Sequence, residues 1–163
     1  MNKEKKILVA YFSCSGVTAK VAEALAEAAG ADVYEIAPAV AYAAKDLNWM
    51  DAASRSTVEM KDEAARPAIA GQAADMEVYG VVFVGFPIWW YIAPRIIETF
   101  LESYDFSGKI VVPFATSGGS GMGKTEERLK QVCPGAGGWR AGRVFRGNVK
   151  QDELARWVEG LGL

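Results

Sequence analysis

Three short apolar runs, none of them interrupted by a polar side chain, constrain the fold of this chain more than any other feature. They are Ile7 to Phe12, Val81 to Phe86 and Ile110 to Ala115. A strand with one face in water alternates polar and apolar residues, whereas uninterrupted runs are typical of strands in a parallel sheet that is covered on both faces. Asp32 to Ala37 and Arg143 to Arg146 are weaker candidates for strands.

Amphipathic segments lie between these runs and predict helices. They are Thr18 to Ala29, Pro94 to Tyr104, Glu126 to Cys133 and Gln151 to Leu161. Alternating strands and helices predict an α/β fold, and a chain of 163 residues is about the size of a single domain, here residues 1–163. Pro38 to Pro67 is too long for a simple connection, and we expect an ordered excursion with a short helix near Asp51 to Lys61.

Composition excludes several classes of function. With 18 basic and 20 acidic residues the net charge is only -2, so we expect neither nucleic acid nor an anionic membrane as a partner. The chain has no histidine, which excludes Ser-His and Cys-His nucleophile pairs and most catalytic metal sites. Two cysteines, Cys14 and Cys133, are interpreted as free thiols in a reducing compartment, which predicts a cytoplasmic protein. The first apolar run is too short for a secretory signal, and no run is long enough to span a membrane.

Three loops follow the strong strands and should meet at the carboxyl edge of the sheet, where ligands of such folds bind. They are Ser13 to Thr18, Pro87 to Ala93 and Thr116 to Lys124. The first loop, SCSGVT, combines three hydroxyl groups with the amino end of a helix, and Gly16 allows a tight turn there. This combination suits a phosphate dianion. The alternative is that Ser15 or Thr18 only caps the helix.

The other two loops differ in character. Trp89, Trp90 and Tyr91 are consecutive, so at least one large aromatic ring should be exposed, where a flat ring system could stack on it. The alternative is that both tryptophans cover the edge of the sheet. The third loop, TSGGSG, offers small residues through which a backbone can approach a ligand closely.

Two further phosphate-binding hypotheses rest on single motifs. Gly118 to Thr125, GGSGMGKT, satisfies the pattern of a nucleotide-binding P-loop, but the neighbouring strands end without the acidic residue that would hold magnesium. Cys14 has the position of a phosphatase nucleophile, yet the sixth residue after it is Lys20 and not the arginine that clamps phosphate. Both hypotheses are weaker than a site shared by the three loops.

Taken together, SCSGVT, GFPIWWYIAP and FATSGGSG resemble the flavodoxin family, over Lys6 to Leu161. The resemblance implies a flavodoxin-like three-layer α/β/α sandwich with a five-stranded parallel sheet in the order 2-1-3-4-5. It implies FMN as cofactor, with its phosphate held by Ser13, Ser15, Gly16 and Thr18 and by the backbone of Cys14 and Val17. It also implies that Pro87, Ile88, Trp89 and Trp90 line the flavin ring, with Trp89 stacking on it, and that Thr116, Ser117, Gly118 and Gly119 flank its other edge.

The resemblance further implies an electron carrier that serves two redox partner proteins, a reductase and an acceptor, and that acts as a monomer, with a dimer as the alternative. An FMN-dependent NAD(P)H:quinone oxidoreductase is the alternative function, and a flavin-free nucleotide-binding module is a third. The chain departs from the family pattern at Tyr91, where relatives often carry a glycine, and in its near-neutral charge, since such carriers usually present an acidic face.

Overall fold

The fold is built on one parallel sheet with helices on both faces. The computed structural model describes residues 6–14, 16–72, 75–89, 92–117, 121–146 and 149–163. The strands are β1 (Lys6–Tyr11), β2 (Asp32–Glu35), β3 (Tyr79–Pro87), β4 (Ile110–Thr116), β5 (Gly138–Trp139) and β6 (Arg143–Phe145). The helices are α1 (Val17–Ala29), α2 (Arg55–Lys61), α3 (Arg95–Ser103), α4 (Thr125–Val132) and α5 (Gln151–Gly160).

The strand order confirms the predicted 2-1-3-4-5 arrangement, with one correction at the fifth position. Strands β2, β1, β3 and β4 are parallel neighbours in that order, and β5 and β6 both pair with β4. The fifth strand therefore consists of two pieces, whereas the sequence predicted one strand, Arg143 to Arg146.

Pro113 explains the interruption. The amide of Arg140 donates to the carbonyl of Val111 at 3.1 Å, so Val111 and, two residues on, Pro113 face the fifth strand. Proline has no N–H to donate there, and the ladder breaks beside it. Gly142 accommodates the break, because a Cβ atom at that position would lie 2.5 Å from the carbonyl oxygen of Pro113.

Alternate residues of each strand point to opposite faces, so the sheet separates two apolar cores. On one face Leu8 and Ala10 of β1 pack with Ile97 and Phe100 of α3. On the other face Val9 packs with the buried apolar residues of α1 and α5, which are Val21, Ala22, Leu25, Ala26 and Leu154. The arrangement is the predicted three-layer sandwich.

One close contact joins β3 to β4, because the ring of Phe114 fills the space of a side chain at Gly85, 2.1 Å from where a Cβ would lie.

The long connection between β2 and β3, residues 36–78, is ordered as predicted over the part described. An antiparallel bridge between Pro38 and Ile69 closes its base, and a 3-10 turn, Ala44–Leu47, precedes α2. Helix α2 begins later than predicted, because Ser54 takes the capping position and its hydroxyl group accepts from the amide of Thr57 at 3.4 Å.

A buried ionic cluster holds this connection against α3 and α4, and we call it the Glu98 cluster. The carboxylate of Glu98 is buried. It accepts hydrogen bonds from Arg95 at 2.9 Å and from Arg128 at 3.0 Å, and it forms an ion pair with Arg66 at 3.1 Å. Arg95 also donates to the carbonyl group of Met60 at 2.8 Å, at the end of α2. Arg66 forms a second ion pair, with Glu102. The cluster therefore ties three separate segments of the chain together.

Over the described residues, no helix combines the length and the apolar character that crossing a membrane requires.

Candidate functional site

The first loop forms the amino end of α1, and a glycine begins it. Gly16 has φ 90° and occupies the N-cap position, so no side chain caps the helix there. Thr18 therefore does not cap the helix, which was the alternative to a ligand role; Ser15 lies outside the described residues. The first amide groups of a helix have no partner within it, and the first turn of α1 carries no acidic residue. Nothing lies within 4 Å of a Cβ atom built on Gly16.

Hydroxyl groups flank this helix end. The Oγ of Ser13 accepts from the amide of Gly16 at 3.1 Å, which leaves the Ser13 hydroxyl hydrogen available to donate. The hydroxyl groups of Thr18 and Thr116 are buried and lie 2.6 Å apart. One of them donates to the other, so the pair retains one further hydrogen atom. Amide donors and hydroxyl groups beside a first helical turn that carries no acidic residue fit an anion such as a phosphate.

Backbone contacts bring the three loops to the same edge. The amide of Ile88 donates to the carbonyl of Thr116 at 3.1 Å, which joins the second loop to the third. The amide of Phe12 donates to the carbonyl of Gly85 at 2.9 Å, which joins the ends of β1 and β3. Pro87 pairs with Thr116 in the sheet, and the amide of Ser117 donates to Phe145. The structure therefore brings together the described site residues from all three loops.

Backbone and ring contacts hold Trp89 in place. Its amide and carbonyl groups both bond to Ile92, at 2.9 and 3.1 Å. Its ring contacts the rings of Phe12 and Tyr42 edge to face, at centroid distances of 5.7 and 5.6 Å. We call Phe12, Tyr42 and Trp89 the aromatic cluster. The side chain of Trp89 is half-buried, so part of its surface is exposed. Stacking of its ring on a flavin stays a prediction.

Several predicted residues lie outside the described part of the chain. They are Ser15 of the first loop, Trp90 and Tyr91 of the second, and Gly118 and Gly119 of the third. Of the P-loop motif, the structure describes residues 121–125, in which Lys124 is exposed at the N-cap of α4 and the side chain of Thr125 is buried. In the described ranges no group of three metal-binding side chains is found.

Tyr42 and Arg55 border the site from the long connection, and neither was predicted. The guanidinium carbon of Arg55 lies 3.7 Å from the centroid of the Tyr42 ring. The Tyr42 hydroxyl group donates to Glu59, and burial, with this hydrogen bond, raises the pKa of Tyr42. The sequence offered one signal for these residues, an isolated tyrosine in a charged segment. This signal indicates that the segment is ordered, but it does not indicate which part of the protein the tyrosine contacts.

Cys14 does not have the properties of a nucleophile. Both cysteines are free, and Cys14 is exposed. Although the Cys14 side chain is exposed by surface area, neighbouring protein atoms exclude part of the water around the sulfur. This desolvation raises the pKa of the Cys14 thiol to about 11, and the charge of Arg55 lowers it only in part. A catalytic thiol needs a pKa near or below neutrality, so the electrostatics of this thiol oppose the phosphatase hypothesis.

Comparisons with known proteins assign the chain to a family. The family model described as flavodoxin matches residues 6–161. A candidate flavoprotein from Bacteroides eggerthii is 46% identical, with a TM-score of 0.93 over 98% of this chain and 99% of that one. One from Bacteroides uniformis is also 46% identical, with a TM-score of 0.91 over 96% and 99%.

A more distant structure, of a flavoprotein from Lactobacillus acidophilus in complex with FMN, is 21% identical, with a TM-score of 0.71 over 94% of this chain and 99% of that one. No curated protein matches the sequence. The match over nearly the whole length and the two relatives at 46% identity show that the chain belongs to the flavodoxin family.

Proposed function

We propose that this protein binds FMN and works as an electron-transfer flavoprotein between a reductase and an acceptor protein. Membership of the flavodoxin family supports the cofactor, and so does the FMN in the related structure from Lactobacillus acidophilus. The observation that carries the proposal is the amino end of α1. It begins at Gly16, where the space that a Cβ would take is open, and it is bordered by the paired hydroxyl groups of Thr18 and Thr116.

The phosphate group would be held mainly by neutral donors of the first loop. The amide groups of the first turn of α1 point toward it, and the Ser13 hydroxyl group has a hydrogen atom left to donate. The pair of Thr18 and Thr116 supplies one more hydrogen atom, and its geometry is fixed because both side chains are buried. Preorganised donors of this kind bind a dianion without first having to be ordered.

Residues of the other two loops would orient the flavin ring. Ile88 is tied to Thr116 through the backbone, and the aromatic cluster holds the indole ring of Trp89 in one orientation. FMN, when bound, supplies the redox chemistry, and the protein's groups determine its position and its access to solvent.

We favour a carrier over an enzyme because the residues predicted to line the site include no histidine, carboxylate or lysine that could act as a general acid or base. The chain has no histidine, and the raised pKa of the Cys14 thiol keeps this group protonated. Both thiols are free, which fits a reducing compartment, and we place the carrier in the cytoplasm.

Purification followed by anaerobic reduction tests the proposal. We expect a yellow protein that releases FMN on denaturation in about a one-to-one ratio with the chain. We expect NADPH alone to reduce the bound flavin slowly, and NADPH together with a catalytic amount of a flavodoxin reductase to reduce it rapidly, as followed by loss of flavin absorbance.

Two results would contradict the proposal in different ways. Rapid bleaching by NADPH alone, with turnover of a quinone, would show an FMN-dependent oxidoreductase. A colourless protein that takes up no FMN on reconstitution would exclude both functions and would revive the nucleotide-binding hypothesis for Gly118 to Thr125.

A further inference from the structure

The guanidinium group of Arg55 is fixed in place, and half of its terminal donors are unused. Its Nε donates to Glu59 at 2.9 Å, and its Nη1 donates to the carbonyl group of Val40 at 2.7 Å. The Tyr42 ring lies against its flat face. The Nη2 group has no hydrogen-bond partner among the contacts of the described residues, and the side chain is 23% exposed. A rigid cation with two free N–H groups is suited to bind an anion.

Packing places this group beside the first loop. Tyr42, which Arg55 covers, contacts the ring of Phe12 at a centroid distance of 5.6 Å, and Phe12 immediately precedes Ser13. The charge of Arg55 also acts on the Cys14 thiol, and Cys14 in turn acts electrostatically on the Tyr42 hydroxyl group. Arg55 therefore borders the amino end of α1, although it lies about 40 residues further along the sequence.

A cation at this position would supply the positive charge that the first loop lacks. Residues 13–18 contain no lysine or arginine, so a dianion bound there would otherwise depend on neutral donors and the helix end. Glu59 offsets part of the charge of Arg55, yet Glu59 also accepts from the Tyr42 hydroxyl group. The two free N–H groups remain available for a direct hydrogen bond.

We propose that Arg55 is a binding residue of the cofactor site and that its Nη2 group donates to the phosphate of FMN. The inference rests on the proposed function, because it needs FMN at the amino end of α1. It assigns a role in cofactor recognition to the long connection, in addition to its contacts with α3, α4 and the aromatic cluster. It also predicts how the protein distinguishes FMN from riboflavin, which has the same ring system and no phosphate.

Affinities for FMN and riboflavin, measured side by side from quenching of flavin fluorescence, test the inference. For Arg55→Gln we expect FMN affinity to fall about tenfold, since a charged hydrogen bond is lost. Riboflavin affinity should change less than about twofold, because riboflavin has no phosphate for Arg55 to bind. Arg55→Lys keeps the charge without the planar donor pair, and we expect an intermediate loss for FMN. Thermal unfolding of each FMN-free variant shows that it is folded.

Arg66→Gln is the matched control. Arg66 belongs to the same connection, and the carboxylates with which it forms ion pairs, Glu98 and Glu102, lie outside the first loop. Its replacement should change both affinities by the same factor. Equal losses of FMN and riboflavin affinity in Arg55→Gln, or no loss, would overturn the role of Arg55 and leave the proposed function standing. If the unaltered protein bound neither flavin, the proposed function would fail and the inference with it.

Discussion

The hydroxyl oxygens of Thr18 and Thr116 lie 2.6 Å apart, although 98 residues separate them along the chain. Thr18 belongs to the first turn of α1, and Thr116 ends β4. The hydrogen bond therefore connects the first and third loops inside the candidate site, where both side chains are buried.

Replacing either threonine by valine should destabilise the protein. Valine has the same shape, so the main loss is the hydrogen bond, and the remaining hydroxyl group is left buried without it. We expect each single variant to lose about 1–3 kcal/mol of unfolding free energy, and the double variant to lose less than the sum. Urea denaturation of the FMN-free protein measures all three values.

Thr99→Val is the control, because the Thr99 hydroxyl group makes only a long bond, 3.4 Å, to a carbonyl of its own helix. Thr99→Val should therefore change the free energy of unfolding only slightly. Strictly additive losses for Thr18 and Thr116 would show that the two hydroxyl groups do not interact.

Disrupting the Glu98 cluster should lower the free energy of unfolding more than the threonine replacements do. Glu98→Gln removes the charge that Arg66, Arg95 and Arg128 share, and leaves the buried guanidinium group of Arg95 without its anion. We expect a loss of about 3–5 kcal/mol in the free energy of unfolding, measured by urea denaturation. The exposed pair of Asp152 and Arg156, 3.6 Å apart, is the matched control, and Asp152→Asn should change stability by less than about 0.5 kcal/mol. Similar losses in the two variants would contradict the structural role of the cluster.

The thiol of Cys14 should titrate well above its ordinary pKa of 9.0. Desolvation raises the pKa to about 11, so in a Cys133→Ala variant the rate of alkylation by iodoacetamide should keep rising between pH 9 and pH 11. In 8 M urea, as a control, it should level off near the ordinary value. Arg55→Gln should move the midpoint further up, because the charge of Arg55 opposes the shift. A folded-state midpoint at or below 9.0 would contradict the structure.

The same shift has a consequence for stability. Above pH 9 the unfolded chain loses this thiol proton while the folded chain retains it. The unfolded state then binds fewer protons, and the free energy of unfolding falls as the pH rises from 9 toward 11. Below pH 9 this contribution is constant.

The sheet could be predicted from the sequence because its signal is local. Residues such as Leu8 and Val9 are both apolar since each faces a different buried layer, and such runs indicate burial on both faces without reference to the rest of the chain. Helix α3 was predicted as an amphipathic segment, and its apolar residues Ile97, Phe100 and Leu101 are all buried. The first piece of the fifth strand was missed because Gly138 and Trp139 form too short a run to show a pattern.

The candidate site was predicted only where its residues lie in the loops that follow strands. Arg55 approaches the first loop through Tyr42, and this contact depends on how a long connection folds back over the sheet. Glu98 was missed for a similar reason. Its charge in the middle of an amphipathic helix indicates exposure, and only the three arginines from distant segments make its burial stable.

The ring of Phe114 fills the space beside Gly85 that a side chain at position 85 would need. The aromatic ring on β4 takes the place that a side chain on β3 would need, so the two positions can be exchanged only as a pair. An alanine at position 85 would require a smaller residue than phenylalanine at position 114, and a protein engineer who alters either strand near the cofactor edge must treat them as a single site.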